Sequence, residues 1–287
     1  MPENITFIYD NPVDTATLTP SSEVAMMPAE NLKTRPRTEK WRTTGCASES
    51  LVIYTPECPQ MNALAIVEHN LSRTAQIRVQ AANDNSWAST PVDVTFDAHE
   101  AIYGYGEGGF GEGGFGGGRV YAPNRLQELV LKFIDELLGA EPAGYKYKKI
   151  TFIDPDNEDG YLEMGRIYLA PYYESTRNYN KGARVSFIDL STVDYSESGV
   201  PFTDERPILL EAQLNISNIE TGELYNQLLP FFATVGRRKD FVLCLDPESA
   251  AGRLALSGYG RFTSDLPMNQ QSYWRFALSG ITWRETR

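Results

Sequence analysis

Histidine is almost missing from this chain: His69 and His99 are the only two in 287 residues. A histidine without a partner motif is usually a hydrogen-bonding structural residue, so neither is expected to catalyse. Cysteine is nearly as scarce. Cys46, Cys58 and Cys244 are odd in number and form no C-x-x-C pair. That argues against a disulfide framework or a zinc site, and for reduced thiols in a protein made in a cytoplasm. Positive charge is in deficit, with 26 Lys and Arg against 38 Asp and Glu and a formal net charge of −12. Without a basic footprint, general nucleic-acid binding and adhesion to an anionic membrane are disfavoured. Long apolar runs are missing too. The most apolar stretch, ALAIV at 63–67, is strand-sized, so no membrane insertion is expected. The opening MPENITFIYDNP has no basic start followed by an apolar run, and no secretory signal is expected there.

Catalytic signatures are lacking as well. No G-x-S-x-G, H-E-x-x-H, strand-borne G-x-G-x-x-G or G-x-x-x-x-G-K-[ST] occurs. The chain is therefore expected not to be an enzyme, to hold no cofactor and to carry no catalytic residues. A glycosidase needs only two opposed carboxylates, but 38 acidic residues single out no pair.

What is present is β-pattern. A hydrophobic fraction of 41% over this length can build one large or two ordinary cores. The first forty residues, with NPVDTATLTPSS at 11–22 and PAENLKTRPRTEKWR at 28–42, are turn-rich and expected to lie over a core rather than inside it. LVIYT (51–55) is strand-like, and MNALAIVEHNL (61–71) is apolar enough to be covered on both faces. AQIRVQA (75–81) alternates, with Ala75, Ile77, Val79 and Ala81 facing inward. The short polar link HNLSRT predicts that these last two strands pair with each other.

YGYGEGGFGEGGFGGG (103–118), ten of whose sixteen residues are glycine, predicts a mobile loop. It lacks the strand, helix and Lys of a phosphate cradle, and Glu107 and Glu112 would repel phosphate. NRLQELVLKFIDELLG (124–139) repeats Leu126, Leu129, Val130, Phe133, Ile134, Leu137 and Leu138 at helical spacing, with Gly139 placed to end the helix. Further strands are expected at 145–154, 161–171, 184–189, 205–216, 241–246 and 258–264. A helix limited or kinked by Pro230 is expected around 218–233. The closing segment 272–285 reads as one long strand, with Trp274, Phe276 and Leu278 on one face and Tyr273, Ala277, Ile281 and Trp283 on the other.

Two segments could carry binding. In DPDNEDG (154–160), Asp154, Asp156 and Glu158 have the alternating oxygen spacing that hard cations use. However, Asp159 stands where the EF-hand needs glycine, and Gly165 where it needs the bidentate acid. A turn between two strands is the preferred reading. Aromatics that could stack on a sugar occur at Tyr103, Tyr105, Phe110 and Phe115, and again at Tyr172, Tyr173 and Tyr179. No carbohydrate site can be assigned from these.

Three separated patterns resemble a known family. They are Asn31, Leu32, Trp41 and Arg42; then His69, Asn70, Leu71 and Ser72; then Asp154, Pro155, Asn157, Asp159, Gly160, Tyr161, Gly165 and Arg166. In this order they resemble the discoidin-like (galactose-binding-like) jelly roll of tail and baseplate proteins from long-tailed bacteriophages, over about residues 20–172. The resemblance implies a mainly β chain: a jelly-roll β-sandwich at 1–172 carrying a Gly-rich and helical insertion at about 95–144. Residues 173–287 more loosely resemble the β-rich tail-tube or belt domains of distal tail proteins, with one short helix. It implies a structural component of the virion tail, synthesised in the host cytoplasm. Such a protein would form a homo-oligomeric trimer or hexamer ring, bind other tail or baseplate proteins, and connect the tail tube to them. The alternative is a virion module that binds a host-surface glycan; a tail-associated hydrolase is a third reading.

Overall fold

The computed structural model describes residues 2–34, 39–99, 103–105, 117–119, 129–139 and 144–286, with backbone only at 103–105, 117–119 and 251. Two compact units are formed. The first comprises Met1–Glu3, Asp10–Tyr172 and Leu245–Ser257, and the second Asn4–Tyr9, Tyr173–Cys244 and Gly258–Arg287. Neither unit is therefore continuous in sequence.

In the first unit, alternation of apolar and polar residues drives two antiparallel sheets together. One has the order Thr17–Pro20, Glu49–Tyr54, Tyr147–Ile153, Gln76–Ala82, Val92–Asp97. The other has the order Leu129–Phe133, Ala63–His69, Glu163–Ala170, Trp41–Arg42. Leu51, Ile53, Ile77, Val79, Ile150 and Phe152 from the first meet Leu64, Ile66, Val130, Met164, Ile167 and Leu169 from the second in one buried core. Each such side chain contributes about 1.5–3 kcal/mol by leaving water. Ala63–His69 is buried on both faces, as its continuous apolar run required.

Three expectations are corrected. First, Ala63–His69 and Gln76–Ala82 do not pair with each other. Ala63–His69 lies between Leu129–Phe133 and Glu163–Ala170, and Gln76–Ala82 between Tyr147–Ile153 and Val92–Asp97. The polar link at 70–75 crosses from one sheet to the other. A short link permits a hairpin without requiring one, and both strands have a better partner elsewhere. Second, Leu129–Phe133 is a strand and only Ile134–Leu138 is helical; 124–128 lie outside the described residues. Pairing with the central strand Ala63–His69 overrides the helical spacing there. Gly139 does end the helix in the left-handed conformation, at φ +67°. Third, the early turn-rich segments enter the core: Val13, Ala16, Leu18, Ala29 and Leu32 are buried.

The second unit is built on an eight-stranded sheet. Its main path runs Tyr173–Glu174, Thr6–Ile8, Phe241–Cys244, Ser257–Phe262, Arg275–Glu285, Ile208–Glu220, Arg184–Asp189, with Met268–Ser272 also on Arg275–Glu285. A helical segment, Thr221–Val235, buries Leu224, Leu228, Phe231 and Val235. Its middle, Leu224–Leu228, is π-helical just ahead of Pro230, which lacks the N–H that an α-helical ladder needs. Phe231 centres an aromatic cluster, with ring centroids 5.1 Å from Phe7, 5.4 Å from Phe241 and 5.8 Å from Phe262. The mainly β fold class expected from the sequence stands.

Candidate functional site

The three patterns that carried the resemblance converge on one corner of the first unit. Asn70 Nδ2 donates to Asp159 Oδ2 at 2.8 Å and to the Tyr161 carbonyl at 2.9 Å, and Asn70 Oδ1 accepts from Glu163 N–H at 2.7 Å. Ser72 donates to Asp154 from its backbone N–H, at 2.8 Å, and from its hydroxyl. Asn157 Nδ2 donates to Asp154 Oδ2 at 2.8 Å and to the Asn70 carbonyl at 2.9 Å. Arg42 forks onto Glu163 at 2.9 and 2.5 Å and lies 4.3 Å from the Tyr161 ring centre. Gly160, at φ +73°, completes the turn where a Cβ would be strained. Nearby, Trp41 is fully buried, and Arg166 ties the carbonyls of Lys33 and Thr34 (3.0 Å each) to Asp14 (2.7 Å). The patterns are thus structural: they close the link that crosses between sheets.

This settles the placement of the three candidate metal ligands. Asp154 is fully buried, with its carboxylate engaged by Ser72 and Asn157, whereas Asp156 and Glu158 face outward on the turn. Among the described residues, no group of three or more His, Cys, Asp or Glu side chains could hold a metal ion. The three are not brought together.

The two histidines, thirty residues apart in sequence, meet with ring centroids 5.5 Å apart. His69 Nδ1 accepts the Leu71 N–H at 3.2 Å, which leaves the ring proton on Nε2, where it has no hydrogen-bond partner among the described residues. Burial, then His99 and Lys40, pushes its pKa down to about 3. His99 Nε2 lies 3.3 Å from the Leu71 carbonyl. Burial lowers the His99 pKa as well, against the opposing pull of that carbonyl. Both rings are neutral near pH 7. His99 also lines an open basin of about 340 Å³ together with Asp97, Lys132, Phe133, Glu136, Leu137, Ala250 and Arg253. Arg253 reaches Glu136 at 3.5 Å and the Pro247 carbonyl at 2.6 Å. The basin can offer donors, acceptors and an apolar wall to a polar ligand.

The expected aromatic clusters fare differently. Phe110 and Phe115, and the side chains of Tyr103 and Tyr105, lie outside the described residues, as does most of the glycine-rich segment. The second cluster forms no platform. Tyr173 is buried, stacked on Phe7 at 5.7 Å and donating to Glu223 Oε1 at 2.6 Å, while the Tyr172 hydroxyl donates to Asp135 Oδ2 at 2.5 Å.

Sequence reading missed a feature of the second unit. Thr192–Tyr195 and Pro201–Asp204 form a two-stranded ribbon with Val193 opposite Thr203 and Phe202 opposite Asp194. It is a separate two-stranded sheet, lying in sequence between Asp189 and Ile208, which pair with each other in the main sheet. All eight ribbon residues are exposed, Tyr195 to 70% and Phe202 to 62%. Phe187, Leu190, Val200 and Ile208 extend this apolar exposure. The signal was legible: two short β-prone runs flank S-E-S-G, where Gly199 N–H donates to the Ser196 carbonyl at 2.8 Å.

In the first unit, the chain passes from one sheet to the other at nearly every step between Glu49 and Ala170. The first unit is a jelly-roll β-sandwich. Solved structures similar to the chain include the family 32 carbohydrate-binding module of Clostridium perfringens NanJ in complex with galactose, at 12% identity and TM-score 0.36, covering 59% of this chain and 99% of that one. Another is a Streptococcus pneumoniae fucose-binding module, at 12% identity and TM-score 0.36, covering 57% and 99%. A third is reduced XRCC1 bound to the DNA polymerase β catalytic domain, at 14% identity and TM-score 0.36, covering 58% and 99%. No family model and no curated protein matches the chain. In the jelly roll, the corner residues and the His99 basin share no residue but adjoin where His99 meets His69 and the Leu71 carbonyl.

Proposed function

We propose that this chain is a non-enzymatic assembly protein whose copies join into a threefold or sixfold ring in the distal tail of a bacteriophage particle, linking the tail tube to other tail proteins. One observation carries the reading: the 192–204 ribbon exposes apolar side chains on both faces, and nothing among the described residues covers them. An isolated two-stranded ribbon is marginal in water, and apolar surface of this kind marks a protein contact. The adjoining strand Arg184–Asp189 ends the sheet path, so it also offers an edge, unpaired among the described residues, for extension by another subunit. A head-to-tail contact between copies closes into a ring when its rotation allows. The sequence resemblance supplies the tail setting, and with it a virion location and synthesis in the host cytoplasm.

Light scattering coupled to size exclusion tests this. The wild-type chain is expected as a trimer or hexamer at micromolar concentration, and Tyr195→Asp with Phe202→Asp as a folded monomer. A strictly monomeric wild type that also binds no neighbouring tail protein contradicts the reading.

A second reading, a glycan-binding module, has the His99 basin in its favour, because its volume falls in the range of about 300–1,000 Å³ typical of ligand pockets. A glycan array on which wild type scores and Glu136→Ala with Lys132→Ala does not is its expected outcome; a blank array removes it.

A further inference from the structure

Strand Met268–Ser272 turns back into strand Arg275–Glu285 through only two residues, Tyr273 and Trp274. The sequence pattern had placed both on the faces of one long covered strand. Instead they form the tip of a hairpin, 75% and 66% exposed, with ring centroids 4.5 Å apart and planes at 88°. Two-residue hairpin loops favour Gly, Asn and Asp, so the turn itself gains nothing from two large aromatics. Being exposed, they add little to the core either. The tip is nonetheless held. The Thr221 hydroxyl donates to the Trp274 carbonyl at 3.2 Å, and Asn218 N–H donates to Gln271 Oε1 at 3.1 Å. Arg275 donates to the Asn218 carbonyl at 3.1 Å and pairs with Glu220 at 2.8 Å.

The chemistry of the segment leading into the tip is uniform. The segment M-N-Q-Q-S-Y-W at 268–274 has no charged residue in a chain of net charge −12, and the one flanking cation, Arg275, is neutralised by Glu220. Asn269, Gln270, Gln271 and Ser272 are all exposed. Amides carry donors and acceptors side by side, which suits a hydroxyl-rich ligand that offers both. An exposed indole supplies an apolar face with a polar edge and costs little rotamer entropy to order. The lack of net charge selects against phosphate and against ionic partners. This differs in kind from the 192–204 ribbon, where aliphatic and aromatic side chains alternate with carboxylates.

We propose that the Tyr273–Trp274 tip is a binding site for a neutral saccharide, with the indole as stacking platform and the exposed Asn269 and Gln270 amides as hydroxyl partners. It shares no residue with the assembly ribbon or the His99 basin. Each tip is a small, open site and binds weakly; a ring presenting several tips would raise the apparent affinity by multivalency.

The probes are maltotriose, chitotriose and lactose, each at about 10 mM, enough to detect a dissociation constant of about 1 mM. Saturation-transfer difference NMR and the indole N–H resonance of Trp274 provide the readout. At least one probe is expected to bind wild type and to lose tenfold or more in affinity with Trp274→Ala. Gln270→Ala is expected to weaken it less. The monomeric ribbon variant and Glu136→Ala should retain the single-site affinity, which separates this site from both readings above. No probe shifting the Trp274 resonance overturns the proposal. So does binding that Trp274→Ala leaves intact, or a Trp274→Ala variant whose only change is loss of oligomer.

Discussion

At the scale of single residues, the buried polar groups set the clearest tests. Asp154 accepts from Ser72 and Asn157 inside the corner, and it is fully buried. Asp154→Ala removes charge-assisted bonds and strands three donor groups, a loss of about 3 kcal/mol. Urea unfolding measures it, and a change under about 0.5 kcal/mol would mean that the corner is held by backbone alone. His69 makes a different prediction. Its pKa falls from 6.5 to about 3 on folding, so below pH 6.5 the unfolded chain takes up a proton that the folded chain refuses. Stability is full above that pH and declines as pH falls toward 3. His69→Asn, whose side-chain oxygen can still accept the Leu71 N–H, is expected to flatten this slope in unfolding curves taken through that window. Lys148 behaves alike at the other end of the scale. Its Nζ donates to Thr55 Oγ1 at 2.7 Å in a nearly solvent-free setting, and burial lowers its pKa from 10.5 to about 8. Between those values the unfolded chain holds more protons, so stability rises with pH. Lys148→Met should remove that rise and raise stability near pH 7. None of these three environments was readable beforehand, since each depends on which strand lies opposite.

At the scale of elements, the strands and helices show where local pattern prevailed and where it failed. Strands with clean alternation, such as Gln76–Ala82 with Ile77, Val79 and Ala81 inward, formed as expected because one face had to be buried. Leu129–Phe133 became a strand despite its helical spacing, since the ladder to Ala63–Val67 satisfied its backbone. The ribbon gives the element-scale test. Asp189 and Ile208 already pair, so replacing 190–207 by Asn-Gly leaves a two-residue hairpin. Folding stability is expected to change by less than about 1 kcal/mol, because the excised residues bury nothing and the loop is shorter. Assembly is expected to be lost, as sedimentation velocity would show. Retained rings would move the subunit seam elsewhere.

At the scale of the whole molecule, charge and apolar surface make opposite demands. Each copy carries −12, so association gathers like charge, while the ribbon offers apolar contact. Salt screens the repulsion within a Debye length of about 10 Å at 0.1 M and leaves apolar burial intact. Assembly should therefore strengthen as ionic strength rises from low to physiological, and dissociation by salt would point to ionic seams instead. The amino-acid sequence alone determined the β class, the covered central strand, the acidic surface and the want of catalytic motifs, because composition and two-residue periodicity are local properties. Tertiary structure alone decided that the 70–75 link joins two sheets, that Asp154 is a buried staple, that two distant histidines touch, and that Trp274 stands in water. Each of those depends on which segments come to lie side by side, and alternation along one strand does not encode the partner of that strand.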